Sequence, residues 1–242
     1  MRIIKPLVIV EDAIDGVAMA KKIEHFTRKC YKSEGKTTPD SYDPFIRKIF
    51  KTLKHEGIIE HRFVSVTFIT DRGVSHESVR HRMASYLQES TRYCDYNEKG
   101  VTFILPPWVK MYDHTCGPTY DARVAWERFT GSCRQQEETY QLYRQQAGWT
   151  PQQARYWLPN GIKTEFAATL NLGSWYNFFR KRTAAAAHPQ MRQLAVPLLR
   201  HFQQHLPMIF DSTELPVLDY PEANLIVHPG CEPVEFEEVF SS

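Results

Sequence analysis

Apolar positions recur along the chain with two different periods. The run "RIIKPLVIV" (2–10) is apolar and β-branched and predicts a first strand, and "AIDGVAMAKKIEHFTRKCYKS" then switches to helical spacing. "DPFIRKIFKTLKHEG" predicts a second helix, with Asp43 as its cap, Pro44 in its first turn and Gly57 just past its end. "RFVSVTFITD" alternates as a half-buried strand does, and "SHESVRHRM" predicts a short helix capped by Ser75 with Glu77 in its first turn. "GVTFILPPW" reads as a strand closed by two prolines, and the proline-free, Gln-rich and aromatic residues 119–147 predict a long helix. "TPQQARYWLP" predicts a short helix stopped by Pro159, "KTEFAATLNL" a strand and "GSWYNFFRKRTAAAA" a helix. "QMRQLAVPLLRHFQQHLPMIF" predicts a further helix interrupted near Pro197, and residues 211–242 an irregular, proline-rich, acidic tail. With no internal repeat and no linker, the pattern predicts a single α+β domain over residues 1–242.

Composition narrows the partners. The 242 residues, 42% hydrophobic and 24% charged, suffice for a sizeable core. Thirty Lys and Arg against 28 Asp and Glu leave a net charge of +2, so the chain as a whole does not attract nucleic acid or an anionic membrane. Any anion site must be local. No leader pattern and no run near the roughly 18 apolar residues of a membrane span are present, which predicts a cytoplasmic protein. Cys30, Cys94, Cys116, Cys133 and Cys231 include no C-x-x-C pair, which favours reduced structural thiols over a zinc site, and no metal is expected.

The local exception is "ESVRHRMASYLQESTRY" (77–93). On a helix Arg80 and Arg82 would lie about 200° apart and suit two separate anions, since a guanidinium donates paired hydrogen bonds to a phosphate. Ser90 and Arg92 could complete such a site. The plainer alternative is a solvated face with surface ion pairs.

Arg80-His81-Arg82, seven residues and then Ser90 resembles the R-H-R-x7-S signature of the flavin-dependent thymidylate synthases, with Arg92 and Tyr93 extending the match. "HEGIIEH" (55–61) is similar to the H-E-x-x-x-E-H segment of that family, and "ARYWLPNGIKTEFAATLNLGSWYNFFRKR" (154–182) to its A-R-x-x-L-P stretch and the Asn, Asn and Arg beyond. The three windows fall in the family order within residues 50–185. The resemblance implies a mixed sheet of mostly antiparallel strands flanked by helices, in a homotetramer with shared active sites. It also implies reductive methylation of dUMP to dTMP, with 5,10-methylenetetrahydrofolate as carbon donor and FAD, reduced by NADPH, as hydride source.

Carried over by position, the resemblance makes Arg182 the catalytic residue, at the pyrimidine edge, where a fixed cation favours the ionised ring. Glu77, Arg80, Gln88, Glu89, Ser90, Arg92, Arg155 and Arg182 would bind dUMP, with Arg155 on its phosphate. His55, Gly57, Glu60, Arg80, His81, Arg82, Met83, Gln88, Asn171 and Asn177 would bind FAD. Taken alone, Asn171 and Asn177 read as a helix cap and a buried amide, Gly57 as a helix stop and "RKR" (180–182) as a basic helix end. No Pro-Cys-His tripeptide offers a nucleophilic thiolate, so chemistry without an enzyme cysteine is expected. Gly173 stands where the family often has an arginine, Gln88 where it often has glutamate, and "TAAAAHPQMRQ" is longer than its counterpart. Two other readings stay open: a related flavin- and folate-dependent hydroxymethylase, and a nucleic-acid-binding module using Arg80, Arg82, Arg92, Tyr86 and Tyr93.

Overall fold

A computed structural model describes residues 1–109, 120–217, 220–228 and 234–241. The first apolar run is not one strand. It breaks at Lys5-Pro6 into β1 (Arg2–Ile4) and β2 (Leu7–Val10), because Pro6 has no N–H to give a ladder. Strand β1 pairs in parallel with β5 (Thr102–Ile104) and antiparallel with β8 (Glu238–Ser241), forming a three-stranded sheet. Strand β2 enters a five-stranded sheet with β3 (Phe63–Asp71), β4 (Ala84–Gln88), β6 (Lys163–Asn171) and β7 (Asn224–Val227), in the order β4-β6-β3-β2-β7. Within it β2–β3, β3–β6 and β4–β6 run antiparallel and β2–β7 parallel, so the architecture is mixed α+β. Strand β4 has no counterpart in the hydrophobic pattern, since none of its five residues is fully buried.

The core side of the large sheet follows the period of two. Val64, Val66 and Phe68 on β3 and Phe166, Ala168 and Leu170 on β6 are buried against α6 (Leu172–Arg182) and α7 (Pro189–His205). Trp175, Phe179 and Phe202 are fully buried there, each side chain worth about 1.5–3 kcal/mol of transfer free energy, and the Trp175 indole N–H donates to the Val64 carbonyl at 3.0 Å. That bond ties α6 to the sheet. Helix α1 (Gly16–Cys30) forms as its spacing predicts, capped by Asp15, and a Cβ at Gly16 would lie 1.7 Å from the His205 carbonyl oxygen. Only glycine lets α1 start against the end of α7.

Several expected boundaries move. The second helix begins after Ser41, not at Asp43, as α2 (Tyr42–Ile46), with Pro44 in its first turn. It widens into a π-helical turn, Arg47–Thr52, and ends there, while Asp43 accepts from Arg47 Nε at 2.7 Å instead of capping. Gly57 is therefore no helix stop: it lies in a 3₁₀ segment, Glu56–His61. The long helix forms as α4 (Tyr120–Gln145), whose Cys133 and Tyr140 share a second core with Ile3, Phe103 and Ile162. The helix before Pro159 is α5 (Pro151–Ala154) followed by a 3₁₀ turn, Arg155–Trp157.

Helix α7 runs through Pro197 without interruption. A proline there removes the hydrogen bond that the Gln193 carbonyl would otherwise accept. That carbonyl takes the N–H of Ala223 instead, at 2.9 Å, so the orphaned acceptor is satisfied from the C-terminal segment. That segment was expected to be irregular, yet it supplies β7 and β8, one strand to each sheet. No described helix is long and apolar enough to cross a membrane.

Candidate functional site

The arginine motif is not helical. The short helix preceding it, α3 (Arg72–Ser78), starts earlier than its sequence suggests: Asp71 caps it, with Oδ1 accepting from the Val74 N–H at 3.0 Å, and Ser75 lies inside it with its hydroxyl on the Arg72 carbonyl. Arg80, His81 and Arg82 form the turn between α3 and β4, so the expected projection from opposite helix faces does not apply. The turn is held by the carbonyls that α3 leaves unpaired at its C-terminus. The Ser78 carbonyl accepts from the His81 N–H at 3.0 Å and the Tyr86 hydroxyl at 2.7 Å. The Glu77 carbonyl accepts from the Arg80 N–H at 3.3 Å and from Arg182 Nη2 at 3.0 Å. Burial pushes the Tyr86 hydroxyl up to about 12, so it remains a donor at neutral pH.

Facing this turn is the start of α6. Asn171 caps it, Oδ1 accepting from the Ser174 N–H at 2.7 Å, so the plain role of a cap is realised. Helical spacing then brings Ser174, Asn177 and Lys181 to one face. Between the turn and this face lies a cavity of about 440 Å³ lined by Glu60, Arg80, His81, Arg82, Met83, Asn171, Gly173, Ser174, Asn177, Lys181 and Arg182. Arg80 and Arg82 thus line one cavity, together with two asparagine amides.

Arg182 closes the cavity with its nitrogens largely engaged. Nε donates to His81 Nε2 at 2.9 Å and Nη1 to Glu77 Oε2 at 3.0 Å, in addition to the Nη2 bond to the Glu77 carbonyl. His81 can accept only as neutral imidazole with its proton on Nδ1. It is kept neutral: burial, then the charges of Arg182 and Lys181, lower its pKa from 6.5 to about 4. The ring sits against Phe178, centroids 5.0 Å apart.

Residues 14–208 match the family described as thymidylate synthase complementing protein. The flavin-dependent thymidylate synthase of Mycolicibacterium gilvum is 30% identical over 86% of this chain and 85% of its own. This chain belongs to the flavin-dependent thymidylate synthase family. That of Geobacter sulfurreducens is 31% identical over 76% of this chain and 77% of its own. Among solved structures, the fold is similar to the UMP/dUMP methylase PolB of Streptomyces cacaoi bound with 5-Br dUMP, with TM-score 0.71 and 19% identity over 88% of this chain and 96% of that one. It is also similar to the Helicobacter pylori flavin-dependent thymidylate synthase complexed with FAD and dUMP, with TM-score 0.62 and 20% identity over 84% and 97%.

Not every residue singled out by likeness to the flavin-dependent thymidylate synthases lies in this cavity. Gln88 donates to Ser75 Oγ at 2.9 Å and Thr164 Oγ1 at 3.0 Å, which joins β4 to α3 and β6. Glu89 pairs with Lys163 at 3.1 Å and accepts from the Tyr96 hydroxyl at 2.5 Å, in a separate cavity beside Arg2 and Lys99. Ser90 Oγ accepts from the Arg92 N–H at 3.3 Å, and Arg92 Nε donates to Gln152 Oε1 at 3.3 Å. Arg155 is exposed and shares an open surface with Trp149, Gln152 and Tyr156. His55 is exposed and bonds through Nδ1 to the Tyr31 hydroxyl, and the exposed Gly57 has open space where a Cβ would be.

Three lining residues have no counterpart among the expected site residues: Gly173, Ser174 and Lys181. The signal for the last two was in the sequence, at three before and four after Asn177 on one helix. A Cβ at Gly173 would meet Glu60 Cγ at 3.2 Å and Asn171 Oδ1 at 3.4 Å, so the family's usual arginine there would have to displace the Glu60 side chain. Of the thiols, Cys133 is buried with its pKa pushed up to about 12, Cys94 is half-buried and Cys30 exposed, all free. Cys116 and Cys231 lie outside the described residues.

Proposed function

We propose that this family member reductively methylates dUMP to dTMP, with 5,10-methylenetetrahydrofolate as carbon donor and FAD, reduced by NADPH, as hydride source. The observation that carries the reading is the fixed Arg182 guanidinium at the edge of a cavity whose other polar groups are Arg80, Arg82, Asn171 and Asn177. The donor set suits a flavin nucleotide: the amides match a ring edge that alternates donors and acceptors, and the guanidinium groups suit its phosphates. Glu60, His81 and Met83 would complete that wall. Bound there, the flavin supplies hydride chemistry that no side chain of this chain can provide. The Arg182 guanidinium would favour the ionised form of the pyrimidine beside it.

Arg92 and Arg155, with Ser90, would grip the nucleotide phosphate. They are exposed and stand apart from the cavity, which supports a homotetramer in which sites are shared between subunits. In this reading His55, Gly57, Gln88 and Glu89 act on ligands across such contacts or by holding the elements that do. The described thiols lie outside the cavity, in keeping with chemistry that needs no enzyme cysteine. Residues 1–242 act as one unit, and the reaction is placed in the cytoplasm.

The test is the purified protein with FAD. Flavin absorbance that is bleached by NADPH and perturbed by dUMP is expected, as is a product heavier than dUMP by one methylene after folate is added. A product carrying an additional oxygen would identify a hydroxymethylase instead. Colourless protein with steeply salt-dependent DNA binding would overturn the enzymatic reading.

A further inference from the structure

The carboxylate of Glu77 faces the cavity's arginine, not its open space. Arg182 carries five N–H donors in a fixed planar fork. Three are committed to described residues: one from Nε to His81 Nε2, one from Nη1 to Glu77 Oε2 and one from Nη2 to the Glu77 carbonyl. Among the described residues, two N–H groups remain without an acceptor, one on each terminal nitrogen. The committed partners belong to one continuous stretch, from the last turn of α3 into the R-H-R turn, whereas Arg182 ends α6. The side chains of Arg182 and Glu77 are only 20% and 35% exposed, so the pair is partly shielded from water. Neutral His81 closes the third side without adding charge.

We propose that Glu77 is a positioning residue: with His81 it clamps the Arg182 guanidinium so that its two free N–H groups point to the ligand, and it does not itself bind the nucleotide. This rests on the functional reading above. Orientation of the fork is what Glu77 contributes: it holds the Arg182 cation in place and does not itself reach the ligand. Glu77→Gln keeps an acceptor at the same distance, while Glu77→Asp keeps the charge one methylene short of the guanidinium.

Two measurements test this on the FAD-loaded protein. The first is steady-state turnover. Misplacement of a reacting group by about 1 Å can cost about 100-fold, so Glu77→Ala and Glu77→Asp are expected to lose about 10- to 100-fold in kcat with KM for dUMP little changed. Glu77→Gln is expected to recover most of kcat. A rise in KM at constant kcat, unchanged kinetics in Glu77→Ala, or rescue by Asp and not by Gln would each overturn the clamp.

The second measurement needs no substrate. The Arg182 Nη1–H resonance, whose partner is Glu77 Oε2 and which is assigned by its loss in Arg182→Lys, should exchange slowly with solvent in the wild type and in Glu77→Gln, and fast in Glu77→Ala. Fast exchange in the wild type, or equal protection in all three, removes the clamp. If the wild type fails to methylate dUMP, the functional reading falls while this signal still decides the geometry.

Discussion

Around Arg182 the cationic groups are set in place by the chain itself; around Arg155 they are left open to solvent. Among the described residues, Arg182 has three acceptors and His81 packs on Phe178, whereas the Arg92 side chain has one hydrogen bond, to Gln152, beside an exposed Arg155. A group that acts on reacting atoms gains from being fixed beforehand, because no reorganisation is then needed as charge develops. A group that only grips a remote phosphate can be loose, since an exposed guanidinium gains strength when a ligand or a neighbouring subunit excludes water from it. On the function proposed above, the contrast separates catalysis from retention.

The largest effect is expected at the fixed end. Arg182→Ala should lower dTMP formation by about 100- to 1,000-fold, the cost of one pre-oriented donor, while absorbance shows flavin still bound. Unchanged turnover would remove Arg182 from the chemistry. At the open end, Arg155→Ala should raise the dUMP concentration needed by about 10- to 100-fold, the worth of a charge-assisted bond of about 1.5–3 kcal/mol, and leave the rate at saturation intact. A deficit that persists at saturating dUMP would mean that Arg155 does more than anchor.

A smaller effect concerns the proton on His81. Its pKa is lowered from 6.5 to about 4, so the stability it contributes by staying neutral is complete above about 6.5 and lost as pH falls through about 4. Between those values the thermal midpoint of the wild type should fall more steeply than that of His81→Gln, which has no proton to gain there. Parallel curves would show that His81 is not held neutral. Least of all should change in Gly173→Ala: helix propensity gains about 0.5–1 kcal/mol, offset by moving Glu60 Cγ from 3.2 Å, so the urea midpoint should stay nearly constant.

The parts of the fold legible from sequence were those whose burial alternates or repeats within one segment. Strands β3 and β6 and helices α1 and α6 announce themselves within their own segments, and α4 by a long proline-free, Gln-rich and aromatic stretch. Proline misled in both directions: Pro6 splits a run that looks continuous, and Pro197 sits in a helix that does not stop, because its orphaned partner is satisfied from elsewhere. The cap of α3 was hidden because Asp71 also ends a strand, and moving the helix start from Ser75 back to Asp71 turned the R-H-R motif from helix into turn. Asn171, Asn177 and Arg182 were identified by register with a family. Their contacts were not, since a pair such as Glu77 and Arg182 meets only through the path of the chain between them.

The bond between Gln193 and Ala223 bears on how distant parts of the chain are joined. Strands β1 and β2 stand far ahead in the sequence of their outer neighbours β8 and β7. Without those neighbours two apolar edges would stand open to any passing strand. Helix α7 lies between the two sets, and the carbonyl that Pro197 leaves unclaimed within it is where the later segment attaches. An internal proline thus gives a distant segment of the chain a fixed point from which to reach its edge.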